Sequence, residues 1–330
     1  MIFFPFLSVV SITVFCYVAL VISLITLYFR VSLSPIIRLP ITLSTEKTQH
    51  VVCTSYTGRL GNLMFDFASS YGLARSKGMK LVVPNDFKLL KIFELNGTEI
   101  IQNSSACDTG HFVRIAERTC CAFDQKVVNF SATYNVKLVA YLQSYYYFDK
   151  YNSEVRKLFT FRSEIRNKSN DLLKSIYAKN SITSSNNVTL VGVHVRRGDY
   201  VHNKNGKTMA TKEYLQTAVR WFKSRHTNLH FIVASNGMKW TKLNMPSNIS
   251  VNYLEGNSAE VDMATITSCH HMISSVGTFS WWSGWLINGN VTYYKWPTKE
   301  GTKYRRQFSS NYSDFFYPNW IGLWMLYYYH

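Results

Sequence analysis

The pair Arg196-Arg197 is the strongest chemical feature of the sequence, because it directly follows an apolar run that predicts a buried strand. From Val193 to Tyr200 the sequence is VHVRRGDY. Ligand loops of open α/β sheets lie at the carboxyl ends of strands, and arginine binds phosphate oxygens through two parallel hydrogen bonds. The segment therefore predicts an anion site in which Asp199 orients one arginine. The alternative is a cluster of ion pairs at a strand end.

Two glycine-containing turns offer related chemistry. Residues 274–286 have the sequence SSVGTFSWWSGWL, in which Gly277 and Thr278 lead from an apolar strand into an aromatic helix. Backbone amides at a helix start bind phosphate, and Ser280 adds a hydroxyl donor. In the turn 58–62, glycines let the backbone approach a ligand closely. The alternatives are a core helix packed by its tryptophans and an ordinary tight turn.

The apolar patterns around these segments predict the elements that position them. Strands are predicted at residues 51–54, 80–83, 190–195, 229–234, 272–276 and 291–296. Helices are predicted at residues 63–74, 163–177, 211–223 and 258–268. Strands that alternate with helices imply parallel sheets, so we expect an α/β protein. Residues 96–150 show no clear pattern, and the polar stretch 180–187 predicts a domain boundary.

The N-terminal segment determines the expected compartment. Residues 2–29 carry no charge, and residues 6–29 predict a transmembrane helix, because a cleaved signal peptide needs only about 7–15 apolar residues. Arg30 and Arg38 follow this span, and by the positive-inside rule they favour a cytosolic C-terminal part. Glycosylation sequons favour the lumen instead, since roughly four would be expected by chance. Eight are present, at Asn96, Asn103, Asn129, Asn167, Asn187, Asn248, Asn290 and Asn311.

We therefore expect a lumenal C-terminal part and five successive segments. These are a cytoplasmic tail (1–5), a transmembrane signal-anchor (6–29), a stem (30–50), an N-terminal domain (51–187) and a C-terminal domain (188–330). Five cysteines follow the span, so at least one stays free or pairs between chains. Proximity in sequence suggests a bridge from Cys107 to Cys120 or Cys121.

The composition narrows the classes of partner and of chemistry. The net charge is +17, but lysine and arginine are scattered, which argues against a nucleic-acid binder. The sequence has no D-x-D motif for a catalytic metal, the nearest approach being residues 260–262. Arginine can supply the positive charge that a metal would otherwise supply to an anionic ligand. The segment Cys269-His270-His271 lacks the spacing of a structural zinc site, which indicates packing or hydrogen bonding.

Three segments together resemble the alpha-1,2-fucosyltransferases of glycosyltransferase family 11. They are HVRRGD at 194–199, GRLGNLMFDFA at 58–68, and residues 262–286 with their FSWW core. The H-x-R-R-x-D element also occurs in alpha-1,6- and protein O-fucosyltransferases, and its combination with C-x-H at 269–271 and FSWW makes the resemblance specific. The resemblance covers separate blocks from about residue 51 to the C-terminus and omits residues 96–187.

The resemblance implies a GT-B-like fold, with two Rossmann-like domains that face a cleft. Residues 51–187 would be the acceptor-side domain, and residues 188–330 would bind GDP-fucose. The implied reaction is inverting transfer of L-fucose from GDP-β-L-fucose to a glycan hydroxyl, most simply the 2-hydroxyl of a terminal galactose. GDP-fucose is a substrate, so no metal and no other cofactor is expected. The implied location is the Golgi membrane, in a single-pass type II orientation.

The same resemblance assigns residues to roles. The catalytic residues implied are Arg196, Arg197 and Asp199. The residues implied to bind GDP-fucose are His194, Arg59, Gly61, Asn62, Asp262, Thr278 and Ser280. Arg196 would grip the pyrophosphate, Thr278 and Ser280 would bind phosphate, and Asp262 would contact the nucleotide. The sequence departs from the family at Leu63, where glutamine is common, and at Ser283-Gly284, where Gly-Ala is common.

Some alternatives stay open at this point. The candidates for a general base are Asp199, His194, His202 and Asp66, and the sequence does not select among them. A protein O-fucosyltransferase-like enzyme is one rival function, which the FSWW block argues against. A non-catalytic, membrane-anchored sugar-binding protein is another. A diphosphate site built from Arg196-Arg197 and the turn 58–62 argues against it.

Overall fold

The computed structural model describes residues 6–32, 49–139, 141–183 and 187–324. The chain divides into two compact units, Met1–Thr48 and Gln49–His330. The first unit contains helix α1 (Phe6–Ser32). Among the described residues, no helix has both the length and the apolar character needed to cross a membrane. The predicted tail, residues 1–5, and residues 33–48 of the predicted stem lie outside the described residues.

The second unit contains two parallel sheets. The first sheet has five strands in the order β3-β2-β1-β5-β4. Its strands are β1 (Val51–Thr54), β2 (Lys80–Val83), β3 (Ile100–Gln102), β4 (Phe112–Ala116) and β5 (Asn135–Val139). Its helices are α2 (Leu60–Ser76), α3 (Gln125–Val128) and α4 (Asn152–Leu158). Helix α5 (Ser163–Lys179) follows them in the chain, and its Leu173 and Ile176 share a core with residues of the second sheet. Because β1 is the central strand, the loop after it reaches the middle of the carboxyl edge of the sheet.

The second sheet has six strands in the order β11-β10-β9-β6-β7-β8. Its strands are β6 (Thr189–Val195), β7 (Leu229–Ser235), β8 (Val251–Tyr253), β9 (His271–Ser274), β10 (Val291–Tyr294) and β11 (Ile321–Leu323). Its helices are α6 (Lys212–Lys223), α7 (Met238–Asn244), α8 (Ala259–Thr267) and α9 (Thr278–Ile287). The apolar run of β6 is buried between β7 and β9, as expected for a strand covered on both faces.

Every strand and helix predicted from the apolar patterns is present, with shifts at the ends. Strands β1 and β2 have the predicted bounds. Helix α2 begins at Leu60 instead of residue 63, so the second half of the glycine-containing turn is already helical. The stretch 96–150, which showed no pattern, contributes β3, β4 and β5 to the first sheet. The predicted domain boundary between residues 187 and 188 stays a prediction. Residues from both sides of it share one hydrophobic core.

This shared core is built around helix α9. Trp281, Trp282 and Trp285 of that helix are at most 2 % exposed. The ring of Phe65, on α2, lies 4.6 Å from Trp281 and 4.9 Å from Trp282 between centroids. Aromatic pairs at such distances add to the free energy gained by burial. The apolar face of α2 is thus covered by a helix that follows β9 of the second sheet, and the two helix starts lie side by side.

The disulfides differ from the predicted pairing. Cys53 pairs with Cys107, and Cys120 pairs with its neighbour Cys121. The predicted bridge from Cys107 to Cys120 or Cys121 is therefore wrong. Cys53 lies on the central strand β1, and Cys107 lies in the loop between β3 and β4. That loop passes close to β1, which brings the two cysteines together. Cys269 is free and buried, in agreement with the odd number of cysteines after residue 50.

Candidate active site

A cavity of about 460 Å³ lies between the start of α2, the carboxyl ends of β6 and β7, and the start of α9. We call it the donor cavity. Eight of the ten residues predicted to bind or act on the donor line it, namely Arg59, Gly61, Asn62, His194, Arg196, Asp199, Asp262 and Thr278. Its position agrees with the rule that parallel sheets bind ligands at the carboxyl ends of their strands.

Arg196, Asp199 and Arg59 form an ion-pair chain at this cavity. The Asp199 carboxylate accepts hydrogen bonds from Arg196 and, at 2.9 Å, from Arg59. Burial acts to raise the pKa of Asp199, but the two guanidinium groups outweigh it and hold the pKa below its ordinary value. Asp199 is therefore ionised at neutral pH and orients Arg196, as the sequence predicted for one arginine.

Arg196 is held at several points. Its backbone N–H donates to Ser275 Oγ at 2.8 Å, and its guanidinium carbon lies 5.3 Å from the centre of the Tyr200 ring. The side chain is 17 % exposed, against 71 % for Arg59. The Arg196 guanidinium is thus a fixed, partly buried cation at the cavity wall, whereas the exposed pair from Arg59 to Asp199 contributes little to stability.

His194 and Ser280 form a buried pair behind this cation. His194 Nδ1 and Ser280 Oγ share a hydrogen bond of 2.6 Å. Burial, assisted by the charge of Arg196, lowers the pKa of His194 to about 3, so the imidazole is neutral at neutral pH. Ser280 is fully buried and does not line the donor cavity. Its hydroxyl is therefore placed to orient the imidazole, and not to reach a phosphate as the resemblance implied.

Two helix starts lie at the wall of the cavity. Helix α2 begins after Arg59 and helix α9 begins after Gly277, and within the described part of the chain neither has a side-chain cap. The first amides of a helix lack partners inside the helix and attract anions. Gly277 has φ +85°, a conformation that favours glycine. Two adjacent helix starts without acidic residues in their first turns are suited to a phosphate group.

The two starts are joined by one hydrogen bond and one close approach. Thr278 Oγ1 donates to Asn62 Oδ1 at 2.8 Å. A Cβ atom added at Gly61 would lie 2.6 Å from the carbonyl carbon of Thr278. Gly61 is therefore needed for close packing of the two helix starts, in addition to any contact with a ligand.

Arg197 does not enter the donor cavity. Its guanidinium carbon lies 3.9 Å from the centre of the Trp240 ring, and its backbone N–H donates to Asn236 Oδ1 at 2.7 Å. Burial lowers the pKa of this arginine. The structure thus separates the two neighbouring arginines, one facing the cavity and the other packed on an aromatic ring. This geometry therefore does not support the predicted catalytic role of Arg197 through direct contact with a ligand in the cavity.

Several cavity residues were not predicted. They are mainly polar and include Lys88, Tyr200, Lys207, Asn236 and Asn257. Asn236 directly follows β7, so the strand-end rule could have found it. Lys207 lies 4.9 Å from the centre of the Tyr200 ring and 5.5 Å from that of Tyr304, contacts that no local pattern reveals.

The charge of the cavity is positive. Four cationic side chains line it, Arg59, Lys88, Arg196 and Lys207, against the two acidic ones, Asp199 and Asp262. The excess of two positive charges suits a ligand with two negative charges. Asp262 accepts a hydrogen bond from Asn257 Nδ2 at 3.1 Å, and burial raises its pKa to about 6. This carboxyl is paired with Asn257 and takes no part in the ion-pair chain of the two arginines.

The candidates for a general base separate into two groups. His194 and Asp199 line the donor cavity, whereas His202 and Asp66 do not. Asp66 is fully buried in α2, where Thr57 N–H donates to it at 3.0 Å and burial raises its pKa to about 8. Asp66 thus cannot contact an acceptor in this arrangement. Of the two candidates at the cavity, His194 is neutral at neutral pH because its pKa is lowered. The carboxylate of Asp199 is already paired with Arg196 and Arg59.

The segment Cys269-His270-His271 takes part in hydrogen bonding, as predicted. His270 Nδ1 accepts from the Leu190 N–H at 2.9 Å, and His271 Nδ1 accepts from the Asn290 N–H at 3.1 Å. Within residues 49–139, 141–183 and 187–324, no three His, Cys, Asp or Glu side chains are grouped as a metal ion would require. These two histidines therefore fix the ends of β6 and β10.

The sequence as a whole matches a known family. The family model of Glycosyl transferase family 11 matches residues 11–324. The chain belongs to glycosyl transferase family 11. The resemblance predicted from the three sequence segments is thereby confirmed, and the match also covers residues 96–187, where that resemblance had not been seen.

Two relatives of this family 11 chain are both named as galactoside fucosyltransferases. The chain is 31 % identical over 279 residues to galactoside alpha-(1,2)-fucosyltransferase 2 of Sus scrofa, covering 81 % of this chain and 78 % of the relative. It is 28 % identical over 275 residues to galactoside 2-alpha-L-fucosyltransferase SEC1 of Bos taurus, covering 81 % and 72 %.

A solved structure shares the fold. NodZ alpha-1,6-fucosyltransferase, co-crystallised with GDP, matches with a TM-score of 0.53 at 14 % identity, over 75 % of the family 11 chain and 96 % of NodZ. The expected GT-B-like α/β fold with parallel sheets is thus confirmed. At this identity the likeness concerns the fold alone.

Proposed function

We propose that this family 11 chain is an inverting glycosyltransferase that moves L-fucose from GDP-β-L-fucose to the 2-hydroxyl of a terminal galactose on a glycan. The observation that carries the proposal is the donor cavity, in which a fixed Arg196 and two uncapped helix starts surround space for an anion. The two excess positive charges of the cavity match the two negative charges of the diphosphate in GDP-fucose. A relative named for this reaction is 31 % identical to the chain.

In this mechanism the oxygen of the acceptor hydroxyl forms a bond to the anomeric carbon of fucose while the bond from that carbon to the phosphate oxygen breaks. The hydroxyl proton is released to bulk water as the new bond forms. The electron pair and a negative charge go to the departing GDP. Arg196 and the amides of α9 stabilise that charge more strongly in the transition state than in bound GDP-fucose, which is how they would accelerate the reaction. Asp199 holds Arg196 in place, and Asp262 would accept hydrogen bonds from the guanine.

We also propose that the transfer needs no metal and no other cofactor. Arg196, Arg59, Lys88 and Lys207 supply positive charge around the space for the diphosphate. A fixed guanidinium supplies the charge and the two-point geometry that a metal supplies in other transferases.

The full-length chain should transfer fucose from GDP-fucose to glycans with terminal galactose in excess chelator. The measurement uses acceptors that differ only in their terminal sugar, and linkage analysis of the product should give an alpha-1,2 bond. Because the cavity binds the donor by itself, slow release of fucose from GDP-fucose should also occur without acceptor.

Other outcomes decide between the rival functions. Transfer only to serine or threonine of a protein would identify a protein O-fucosyltransferase-like enzyme. Sugar binding without any GDP release would identify a non-catalytic sugar-binding protein. A strict requirement for added manganese or magnesium would contradict the metal-free mechanism.

We propose that residues 6–29 anchor the chain in the Golgi membrane as a single-pass type II protein with its catalytic part in the lumen. The uncharged apolar sequence of this segment supports an anchor. The sequons support the lumenal side. Their eight asparagines lie in different loops and helices around both sheets, and all eight are exposed. An exposed asparagine can carry a glycan without loss of the fold.

Treatment with an N-glycosidase should lower the apparent mass of the chain after expression in a secretory-competent cell. Substitution of all eight sequon asparagines by glutamine should abolish the difference, which makes that variant the matched control. An unchanged mass, together with digestion by protease added on the cytosolic side of sealed vesicles, would contradict the lumenal orientation.

A further inference from the structure

A second, smaller cavity opens beside the donor cavity. Its volume is about 160 Å³, and it shares Asn62, Tyr200, Lys207 and Thr278 with the donor cavity. A cavity of about 150 Å³ accommodates one six-membered ring such as benzene. The small cavity is therefore about the size of a single six-membered ring, and it adjoins the donor cavity.

The wall of the small cavity combines apolar surface with a similar share of polar groups. The disulfide of Cys120 and Cys121 forms part of it, with Trp281 and Tyr304 among the aromatic side chains and Gln143 among the polar ones. A hexose has an apolar C–H face and a rim of hydroxyl groups. Ligand sites of this kind use apolar surface for contact and sparse polar groups for orientation.

The disulfide is fixed by groups from distant parts of the chain. The Cys120 N–H donates to Gln307 Oε1 at 3.1 Å, and the Cys121 N–H donates to the Gln307 carbonyl at 3.2 Å. On the other side, the Gln143 N–H donates to the Cys120 carbonyl at 2.9 Å. Gln143 Nε2 in turn lies 3.5 Å from Asn62 Oδ1, which accepts from Thr278. One connected network thus runs from the disulfide to the two helix starts of the donor cavity.

The other disulfide has no such position. Cys53 and Cys107 join β1 to the loop before β4, and neither lines the donor cavity or the small cavity. The Cys120–Cys121 bridge joins neighbouring residues and closes no loop beyond the bond between them, so it restricts the unfolded chain far less than a bridge over many residues. Its placement at a cavity wall is therefore not explained by stability of the fold.

We infer that the small cavity binds the terminal hexose of the acceptor glycan, and that the Cys120–Cys121 disulfide is a specificity-determining part of its wall. The inference rests on the proposed function. Lys207 and Asn62, at the junction of the two cavities, mark where the reacting hydroxyl meets the donor.

The double variant Cys120→Ala/Cys121→Ala should raise the KM for the galactose-terminated acceptor about tenfold or more, because the wall loses its two sulfur atoms. The KM for GDP-fucose and the rate of fucose release without acceptor should stay within about twofold of the wild-type values. The matched control is Cys53→Ala/Cys107→Ala, which removes a disulfide outside both cavities and should leave the acceptor KM unchanged in the folded fraction.

A second pair of variants keeps the test independent of disulfide folding. Tyr141 lines the small cavity and is 37 % exposed, so Tyr141→Ala should raise the acceptor KM without unfolding the protein. Tyr146 is 49 % exposed and lines neither cavity, which makes Tyr146→Ala the control.

An unchanged acceptor KM in both Cys120→Ala/Cys121→Ala and Tyr141→Ala would overturn the inference, as would equal increases in the KM of donor and acceptor. Those results would leave the proposed function intact, provided that the wild-type chain transfers fucose. A wild-type chain without transfer would instead overturn the proposed function, and the inference with it.

Discussion

Replacing Arg196 by lysine should lower the rate of fucosyl transfer roughly a hundredfold or more, since one well-aimed charged donor is worth about 3–4 kcal/mol in the transition state. Lysine keeps the positive charge but loses the planar group that can hold two phosphate oxygens at once. It can still pair with Asp199, so the melting temperature should change little. The measurements are the transfer rate with saturating GDP-fucose and the thermal melting curve.

The neighbouring residue gives the matched control. Arg197 packs on Trp240 at 3.9 Å and does not line the donor cavity, so Arg197→Lys should change turnover far less. That variant loses the flat contact with the indole ring and should be slightly less stable. Near-wild-type turnover of Arg196→Lys would remove Arg196 from the catalytic role. A large fall in its melting temperature would instead favour a purely structural ion pair with Asp199.

The variant Gly61→Ala should lower both GDP affinity and transfer strongly, by about a hundredfold in rate if the helix starts move apart by an ångström. The added methyl group would lie 2.6 Å from the Thr278 carbonyl carbon and 2.7 Å from the Phe279 nitrogen, atoms of the backbone that cannot turn away. Such overpacking costs about 1–3 kcal/mol of stability. Helix propensity alone would predict the opposite sign, because alanine is favoured over glycine by about 1 kcal/mol inside a helix.

Gly97→Ala is the control for this substitution. A methyl group there would meet side-chain atoms of Ile100 and Leu158 at 3.4 and 3.5 Å, which is ordinary contact. Binding of GDP, transfer rate and melting temperature should be measured for both variants. If Gly61→Ala is as stable and as active as wild type, the close packing of α2 on α9 does not position the donor site.

Much of the fold could be predicted because its signals are local. The run that forms β6 is mostly apolar and is buried from Leu190 to Val195, and the turn after it contributes Arg196, Asp199 and Tyr200 to the donor cavity. Strands β3 and β4 were missed because their patterns are weak, whereas β5 alternates as a strand should, with Val136 and Leu138 buried, and could have been predicted. No residue of β4 is fully buried, so the strand shows no alternation between buried apolar and exposed polar residues.

The candidate site was predictable where chemistry depends on residue type and unpredictable where it depends on packing. Arg196 and Asp199 follow a strand and meet there, whereas Arg197 has the same type and almost the same position but turns to Trp240. Ser280 turns inward to His194 for a similar reason, since the first turn of α9 presents Thr278 and Phe279 to the cavity and Ser280 to the core. Lys207 and Gln143 reach the site only through tertiary contacts.

The shared core has a consequence for synthesis on the ribosome. The apolar face of α2 is covered by tryptophans 281, 282 and 285, and the same cluster contains Phe308, Phe315 and Phe316. The first sheet is complete when residue 139 has been made, but its covering layer follows well over a hundred residues later. At the usual rate of translation this interval is on the order of ten seconds. During that time Phe65 and its neighbours have no partner from the second half, so we expect this core to be completed only when both halves have been made.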